Sequence, residues 1–204
     1  MKKYLLFDFD GVIADSFDSA FIINSKIRPG VTVQGYRDYF NGNVYDAVAK
    51  QVEKPLGEES VKSFFAEYET AINKVSCING MPEVIKSLGK DYEMIIVSST
   101  IGGLIEGFLE KYDIRSSFSK IMGAELESNK SKKIRMIFEE FSISEHDCLF
   151  ITDTLGDIKE ARMVNVNSVA VSWGYHSVAT LETGNPLAIV YKPAELLDFI
   201  TKVF

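Results

Sequence analysis

Near the start of the chain stands Tyr4-Leu5-Leu6-Phe7-Asp8-Phe9-Asp10-Gly11, the stretch that decides the fold. Its apolar beginning has the length of one fully buried strand. Two aspartates then follow at positions i and i+2, and residues with this spacing share one face of a strand. The glycine after them allows a sharp turn out of the sheet. The stretch therefore predicts a buried strand with Asp8 and Asp10 at its carboxyl end, where open α/β sheets bind ligands.

Asp8 and Asp10 also indicate a cation site. Two carboxylates this close repel each other, and each raises the pKa of the other unless a cation lies between them. Mg²⁺ prefers carboxylate oxygens and keeps several of its waters, so it suits such a pair. The alternative is a strand that simply ends in an acidic turn, because aspartate is common in turns. From this stretch alone both interpretations stay open.

Composition limits the function classes that the chain can serve. The chain has 204 residues, of which 46% are hydrophobic, and a net charge of −7. This length is enough for one good core and a modest insertion. The acidic balance argues against nucleic acid or an anionic membrane as the main partner. No apolar run approaches the roughly 18 residues of a membrane span, and we expect no signal peptide before Tyr4.

The two cysteines, Cys77 and Cys148, lack the spacing of metal ligands. Disulfides are rare in the reducing cytosol, and an isolated cysteine in an apolar run is typical of a buried thiol. We therefore predict two reduced thiols in a cytoplasmic protein.

After residue 80 the pattern alternates between strand and helix. Apolar runs predict further strands at 94–97, 118–122, 148–151 and 168–171. Helical spacing of apolar residues predicts helices near 84–88, 101–111, 134–141, 158–164 and 195–203. Such alternation implies a parallel sheet covered by helices on both faces. We predict an α/β fold in which residues 1–15 and 81–204 form a doubly wound, Rossmann-like parallel sheet.

Residues 16–80 show helical spacing and no convincing strand. Three apolar groups mark the helices: Phe17, Ala20 and Phe21; Val44, Ala47 and Val48, before Pro55; and Val61, Phe64, Phe65, Tyr68 and Ile72. The last group is a regular amphipathic stripe. Because the region follows the first strand directly, we predict a small helical cap over Asp8 and Asp10. Its aromatic side chains are expected to form the core of the cap and to leave its polar faces toward the site.

Polar residues follow two other predicted strands. Ser98, Ser99 and Thr100 come after the strand at 94–97, and their hydroxyl groups with nearby backbone N–H groups suit a phosphate. An ordinary helix N-cap is the alternative explanation. Asp153 and Asp157 follow the strand at 148–151, and a plain cap does not explain this second acidic pair.

Three lysines open the helix near residue 130, namely Lys130, Lys132 and Lys133. Cations at a helix start oppose the helix dipole, so one of them is expected to bind a ligand anion. A solvated run of charges is the alternative.

Four of these stretches, in this order along nearly the whole chain, resemble the motifs of the haloacid dehalogenase superfamily. The first is Asp8-Phe9-Asp10-Gly11-Val12, the second Ser98, the third Lys130, and the fourth Asp153-Thr154-Leu155-Gly156-Asp157. Two positions depart from the family pattern. Thr152 stands where many relatives have glycine and is expected to crowd the turn slightly. The common Pro-x-Pro does not follow Lys130, which leaves Lys132 and Lys133 as alternatives for its role.

The resemblance implies phosphoryl transfer, because the dehalogenase and phosphonatase branches lack an aspartate at the position of Asp10. The helical insertion resembles the cap of phosphoglycolate phosphatase and β-phosphoglucomutase relatives. The segment Trp173-Gly174-Tyr175-His176 also resembles the phosphoglycolate phosphatase branch. The family therefore implies a phosphatase that hydrolyses a small phosphorylated metabolite of two to six carbons. Phosphoglycolate is the leading candidate, a sugar phosphate is another, and pyrophosphate or a nucleotide is an outside candidate.

The resemblance also assigns roles to residues. Asp8 is the implied nucleophile that forms an aspartyl-phosphate, and Asp10 is the general acid and base. Mg²⁺ is implied as the cofactor, bound by Asp8, the backbone carbonyl of Asp10, Asp153 and Asp157. The phosphoryl oxygens are assigned to Ser98, Ser99 and Lys130.

Other candidates lie outside these motifs. Arg28 and Arg37 in the cap are candidates for binding a second anionic group of the substrate. His146 and His176 are interpreted as surface or packing residues, because the motifs already supply every role. Two other functions use similar residues: a phosphomutase of the β-phosphoglucomutase type, and a non-catalytic phospho-acceptor or binding protein.

Overall fold

A single parallel sheet organises the structure, a computed structural model that describes residues 3–50 and 58–204, with side chains described for residues 3–47 and 62–204. Within these ranges the sheet has six strands: β1 (Tyr4–Phe7), β2 (Glu93–Val97), β3 (Lys120–Met122), β4 (Cys148–Thr152), β5 (Asn167–Val171) and β6 (Ala188–Val190). All neighbouring strands are parallel, in the order β3-β2-β1-β4-β5-β6. This is the strand order of a doubly wound Rossmann-like sheet, so the predicted fold class is confirmed.

The strand order reverses between β1 and β4, which are neighbours in the sheet. Phe7 pairs with Ile151, and the backbone N–H of Asp8 donates to the carbonyl of Ile151 at 2.9 Å. In open α/β sheets the crevice at such a reversal is where ligands bind. The chain therefore brings Asp8 and Asp10 beside the residues that follow β4.

Ten α-helices accompany the sheet in the described residues. Four lie before residue 80: α1 (Phe17–Ile27), α2 (Val33–Asp38), α3 (Val44–Lys50) and α4 (Glu58–Ile72). Six follow: α5 (Met81–Leu88), α6 (Gly102–Lys111), α7 (Lys130–Phe141), α8 (Leu155–Arg162), α9 (Val178–Glu182) and α10 (Pro193–Val203).

The sheet is buried on both faces, as its continuous apolar strands require. Leu5 and Phe7 belong to a core shared with α5, α6 and α10, whereas Leu6 belongs to a core shared with α7 and α8. Successive side chains of a strand point to opposite faces, which explains this division.

Residues 16–80 form helices wherever the structure describes them, apart from short connections. Ala14 and Cys77 form an antiparallel bridge, and the N–H of Asp15 donates to the carbonyl of Ser76 at 2.9 Å. The two chain segments that join this region to the sheet therefore run side by side. The boundaries of a separate cap domain stay a prediction. Pro55 and the side chains of Val48 and Val61 lie outside the described residues.

Several elements differ from their predicted bounds. The strand predicted at 118–122 is only Lys120–Met122, and the helix predicted at 158–164 begins earlier, at Leu155. Strand β6 and helices α2 and α9 were not predicted. Each has six residues or fewer, which is too short for hydrophobic periodicity to mark it.

Cys77 and Cys148 form no disulfide, as predicted. Burial raises the pKa of both thiols to about 12, so they are protonated at neutral pH. No helix in the described part of the chain has the length and apolar character needed to cross a membrane.

Replacing Gly107 with alanine is expected to stabilise the protein by about 0.5–1 kcal/mol. Gly107 is exposed within α6, and a Cβ there meets no other atom within 4 Å. Gly80→Ala is the contrasting variant, because Gly80 has a φ of +86° that strains any side chain. Urea unfolding should give a higher midpoint for Gly107→Ala and a lower one for Gly80→Ala. A lower midpoint for Gly107→Ala would contradict this description of α6.

Candidate active site

Asp8 lies directly after β1 and is 5% exposed. Its Oδ1 accepts a hydrogen bond from the backbone N–H of Phe9 at 2.7 Å. The same oxygen lies 2.8 Å from Nζ of Lys130, the first residue of α7. A buried carboxylate is thus held at the end of the central strand by one backbone donor and one cation.

Lys130 connects Asp8 to Asp157. Its Nζ lies 2.6 Å from Oδ2 of Asp157, in the first turn of α8, and the lysine is 4% exposed. The hydroxyl of Thr152 donates to that same Asp157 oxygen at 2.7 Å. Thr152 was expected to crowd this turn, and instead it adds a hydrogen bond that fixes Asp157.

Burial and charge act in opposite directions on the pKa values of these groups. Burial raises the pKa of Asp8, and the attraction of Lys130 offsets only part of that rise. Burial also acts to raise the pKa of Asp157, but the charge of Lys130 and the hydrogen bonds with Lys130, Asp8 and Thr152 together outweigh it, and the net pKa is lowered. For Lys130, burial favours the neutral amine, yet Asp157 and Asp8 together raise its pKa. Lys130 is therefore a permanent cation in the site.

Asp153 follows β4 and is fully buried. Its Oδ2 accepts from the backbone N–H of Tyr175 at 2.7 Å, whereas its Oδ1 contacts no donor among the described residues. Burial raises the pKa of Asp153 to about 7, with the Tyr175 N–H opposing that shift. A buried acceptor without a donor is costly, and a bound cation would satisfy it.

Glycines leave room for Asp153. A Cβ on Gly174 would lie 2.2 Å from Oδ2 of Asp153, and one on Gly11 would lie 2.0 Å from the same atom. Gly11 also has a φ of +73°, which favours glycine. Both loops therefore approach this carboxylate more closely than any side chain would allow.

Gly174→Ala is expected to displace Asp153 and to lower the free energy of unfolding by about 1–3 kcal/mol, the usual cost of overpacking. Gly103→Ala is the control, because a Cβ there meets nothing within 4 Å. Chemical denaturation measures both variants. Equal stability of Gly174→Ala and Gly103→Ala would show that Asp153 does not need this close approach.

Asp10 is held by three hydroxyl groups. Ser16 donates to its Oδ1 at 2.7 Å, Tyr68 donates to the same oxygen, and Thr100 donates to Oδ2 at 2.6 Å. Burial and the charge of Asp10 raise the pKa of Tyr68, so this phenol stays a donor. The three donors orient the Asp10 carboxyl group.

The three hydroxyl-bearing residues after β2 differ in their exposure to the site. Ser98 is fully buried, and its Oγ accepts from the N–H of Thr100 at 3.0 Å. Ser99 and Thr100, by contrast, line the cavity described below. The role predicted for Ser98 toward phosphate stays a prediction.

The three lysines of α7 have different surroundings. Lys130 contacts Asp8, as described, whereas Lys132 is largely exposed and lies 3.3 Å from Glu127. Lys133 is fully buried and donates to the carbonyl of Ser98 at 2.5 Å. Burial lowers its pKa to about 8, with Lys130 adding to the shift. Of the three, Lys130 is the one that lines the cavity beside Asp8.

The predicted arginines do not line this cavity. The guanidinium of Arg28 lies 5.2 Å from the ring centre of Tyr39, and that of Arg37 lies 4.7 Å from the ring centre of Phe17.

Of the two histidines, His146 is exposed, as its surface interpretation requires. His176 is buried and joins two parts of the chain: its Nδ1 accepts from the N–H of Leu155, and its Nε2 lies 2.9 Å from the carbonyl of Arg37. It is a packing residue, as predicted.

A cavity of about 160 Å³ opens over Asp8, Asp10, Lys130 and Asp157. Helices α1, α2 and α4 and the 3-10 turn at Tyr39–Asn41 also line it, and the side chains from α2, α4 and this turn are aromatic. The expectation that the aromatic side chains serve mainly the core of the cap is therefore wrong in part. Phe64, Phe65 and Tyr68 of the amphipathic stripe all line the cavity. The stripe indicates a helix face that is shielded from solvent. Part of that face lines the cavity over the sheet instead of packing inside the cap.

Residues 41–45 hold the helical region close to the sheet. The side-chain amide of Asn43 donates to Oε1 of Glu160 at 2.8 Å, and the hydroxyl of Tyr45 donates to the carbonyl of Ser99 at 2.9 Å. Nζ of Lys159 also donates to the carbonyl of Asn41, at 2.9 Å. These contacts place the helical region over the acidic cluster, with the cavity between them.

No three metal-ligating side chains converge into a ready cage in the described residues. Lys130 contacts both Asp8 and Asp157. This arrangement still fits Mg²⁺, which usually takes one or two protein carboxylates and fills its remaining positions with water and substrate phosphate. Asp8 and Asp153 are the two carboxylates that suit such an ion best, because Oδ1 of Asp153 has no hydrogen-bond partner among the described residues.

Sequence reasoning assigned no role in the site to Ser16 and Tyr68 and expected Thr100 near a phosphate, whereas all three donate hydrogen bonds to Asp10. Thr100 carried a signal, since it belongs to the hydroxyl cluster after β2. Tyr68 carried none beyond its place in an apolar stripe, because its contact spans 58 residues of chain.

Known proteins match most of the chain. The family model described as haloacid dehalogenase-like hydrolase matches residues 5–171. The chain is 21% identical to a phosphoglycolate phosphatase of Synechococcus elongatus, over 98% of this chain and 97% of the relative. It is 22% identical to a phosphoglycolate phosphatase of Colwellia psychrerythraea, over 86% of each.

Solved structures show the same fold. A haloacid dehalogenase-like family hydrolase from Streptococcus pneumoniae superposes with a TM-score of 0.83 at 21% identity, over 98% of both chains. A hydrolase from Pseudomonas syringae gives 0.82 at 16% identity, over 99% of both chains. Given the family match over most of its length, the chain belongs to the haloacid dehalogenase-like hydrolases.

Proposed function

We propose that the protein is a Mg²⁺-dependent phosphatase that hydrolyses a small phosphorylated metabolite through an aspartyl-phosphate on Asp8. The observation that carries the proposal is the grouping of Asp8, Lys130 and Asp157 at the sheet reversal, with Asp10 lining the same cavity. The relatives named phosphoglycolate phosphatase support a phosphomonoester as the substrate and put phosphoglycolate among the compounds to test.

In the first step an Asp8 carboxylate oxygen attacks phosphorus, and the bond from phosphorus to the leaving oxygen breaks. Asp10 gives the leaving oxygen a proton, so that the product departs as an alcohol. In the second step Asp10 takes a proton from water, which attacks phosphorus and releases inorganic phosphate from Asp8. Two easier displacements thereby replace one difficult displacement.

Lys130 and the hydroxyl cluster hold the phosphoryl group in this scheme. Lys130 is a fixed cation 2.8 Å from the attacking carboxylate, and a phosphoryl oxygen beside Asp8 would share it. Ser98 and Ser99 are proposed to donate to the other phosphoryl oxygens. Donors that are already in position cost little reorganisation when charge develops in the transition state.

Asp8 and Asp153 would hold Mg²⁺, with the Asp10 carbonyl as a further ligand and Asp157 in support through Lys130. Bound there, the ion would offset the repulsion between the Asp8 carboxylate and a phosphate dianion. The unpartnered, buried Oδ1 of Asp153 supports this assignment.

The helical region of residues 16–80 is proposed to act as a cap that opens to admit substrate and closes to exclude bulk water. Its contacts through residues 41–45 support the closed state. A closed cavity of this size suits a metabolite rather than a folded phosphoprotein. The reduced thiols and acidic composition support a cytoplasmic location.

A panel of phosphorylated metabolites, assayed for phosphate release with Mg²⁺ and after exhaustive chelation, tests the proposal. We expect release that requires the metal and returns when Mg²⁺ is restored. Full activity after chelation would contradict the metal requirement. Turnover that needs a bisphosphate primer and returns the phosphoryl group to substrate would indicate a phosphomutase, and absence of turnover would favour the non-catalytic alternative.

Asp153→Ala is expected to raise the Mg²⁺ concentration needed for half-maximal activity by about 10–100-fold, as is typical for loss of groups that secure a metal. The comparison variant is Asp147→Ala, because Asp147 precedes β4 at the opposite end of that strand. An unchanged Mg²⁺ titration for Asp153→Ala would assign the residue to another role.

A further inference from the structure

The lining of the cavity has two chemically different parts. One part carries the charged groups Asp8, Asp10, Lys130 and Asp157. The other part, here called the aromatic wall, consists of Tyr36, Tyr39, Phe40, Phe64, Phe65 and Tyr68, and Tyr68 joins the two parts through its hydrogen bond to Asp10. If the phosphoryl group lies beside the charged groups, the leaving group of the substrate faces the aromatic wall.

The aromatic wall offers no cation to a second anionic group. Lys130 is the one basic residue lining the cavity in the described part of the chain, and it already contacts two carboxylates. Glu160 adds a further negative charge to the lining. Burying a carboxylate of the substrate there without a partner would cost several kcal/mol. The wall therefore disfavours acidic leaving groups such as that of phosphoglycolate.

One buried acceptor among the described lining residues has no hydrogen-bond partner. Asn24 of α1 lines the cavity, is 7% exposed, and its Oδ1 contacts no donor in the residues that the structure describes. A buried acceptor left without a donor is destabilising, so such an atom suits a hydrogen bond from a ligand. Asn24 is therefore placed to recognise a hydroxyl or N–H group.

We propose that the substrate is the phosphate monoester of an uncharged alcohol with a flat or apolar face and a hydroxyl or N–H group that donates to Oδ1 of Asn24. This inference rests on the proposed phosphatase function. The apolar face packs on the aromatic wall, which excludes water, and Asn24 fixes the orientation. The reaction is unchanged: the bond between phosphorus and the leaving oxygen breaks, and the alcohol leaves with the proton from Asp10.

Matched benzyl phosphates distinguish the effect of the leaving group's charge on kcat/KM from the effect of its shape. The wild-type protein with Mg²⁺ is assayed on benzyl phosphate, 4-(hydroxymethyl)benzyl phosphate and 4-carboxybenzyl phosphate, with 2-phosphoglycolate alongside. All three benzyl esters release a benzylic alcohol, so their chemistry at phosphorus is similar. We expect kcat/KM to be highest for the hydroxymethyl compound and at least about tenfold lower for the carboxylate than for either neutral ester, since 1.4 kcal/mol already gives a tenfold difference.

Asn24→Leu tests the polar contact. We expect the ratio of kcat/KM for the hydroxymethyl ester to that for the plain ester to fall by about tenfold or more, because the hydroxyl loses its acceptor. Asn73→Leu is the matched control, because Asn73 is exposed outside the cavity and its side-chain amide donates to the backbone carbonyl of Glu69, far from the acidic cluster. It should leave that ratio unchanged.

The outcomes distinguish the two proposals. Failure to hydrolyse any of these phosphomonoesters would overturn the phosphatase proposal and this inference with it. Efficient hydrolysis in which 4-carboxybenzyl phosphate or 2-phosphoglycolate is the best substrate would overturn the inference alone. If the ratio of kcat/KM for the hydroxymethyl ester to that for the plain ester were the same in Asn24→Leu and Asn73→Leu, recognition by Asn24 would be overturned.

Discussion

Asp8→Asn is expected to lower kcat for every phosphomonoester by about a thousandfold or more, the scale of loss seen when a covalent nucleophile is removed. An asparagine amide retains the size of the side chain but is a far poorer nucleophile than a carboxylate. Lys130 keeps its contact with Asp157 in the variant, so no buried cation is left without a partner. The fold should therefore survive, and circular dichroism with urea unfolding measures this.

Asp15→Asn is the matched control for Asp8→Asn. It is an exposed aspartate seven positions further along the same segment, outside the cavity. It should retain the activity of the wild type. Activity of Asp8→Asn within tenfold of the wild type would show that another group attacks phosphorus.

Asp10→Asn is expected to lower kcat by about 10²–10⁴-fold, the usual contribution of general acid–base catalysis. The loss should depend on the leaving group. An aryl phosphate releases an alcohol of low pKa that needs little protonation, whereas an alkyl phosphate needs the proton of Asp10. We therefore expect a larger loss on an alkyl phosphate than on an aryl phosphate, measured as single-turnover formation of the phosphoenzyme.

Tyr68→Phe provides the comparison for Asp10→Asn. It removes one of the three donors to Asp10 and keeps the carboxyl group itself. Its loss of activity should be smaller and similar for both kinds of ester. An equal loss on alkyl and aryl phosphates in Asp10→Asn would count against proton transfer by Asp10.

The sheet was predictable because its central strands are short, continuous apolar runs. Strand β1 is buried at all four of its positions, and β4 at all five, so their sequences leave little doubt about burial on both faces. The edge strand β6 has three residues, and only one of them is fully buried. An edge strand this short carries too little of the apolar pattern to be recognised.

The acidic end of the site was predictable for a related reason. Asp8 and Asp153 each follow a central strand, and parallel strands bring their carboxyl ends to one edge of the sheet. Local sequence therefore fixes their positions once the strand order is known. Which of the three lysines reaches Asp8 was not decided by sequence, because Lys130 and Lys133 lie on the same face of α7 and are both buried.

The aromatic wall was not predictable from sequence. An amphipathic stripe shows that a helix face is covered, but it does not show what covers it. Phe64 and Tyr68 lie on such a stripe and contact the cavity rather than only the interior of the cap. Asn24 gave no signal either, since it is one of several polar residues in α1. These contacts depend on how α1 and α4 are placed over the sheet, which is a long-range property of the fold.

Direct detection of a phosphoryl group on Asp8 tests the central claim. The Asp10→Asn variant, in which hydrolysis of the intermediate should be slow, is mixed with Mg²⁺ and an aryl phosphate, quenched in acid and digested with pepsin. Mass spectrometry should find one phosphoryl group on the peptide that contains Asp8, and borohydride reduction should convert that residue to homoserine. A phosphoryl group on any other residue, or turnover with no labelled peptide while substrate is in excess, would contradict the account.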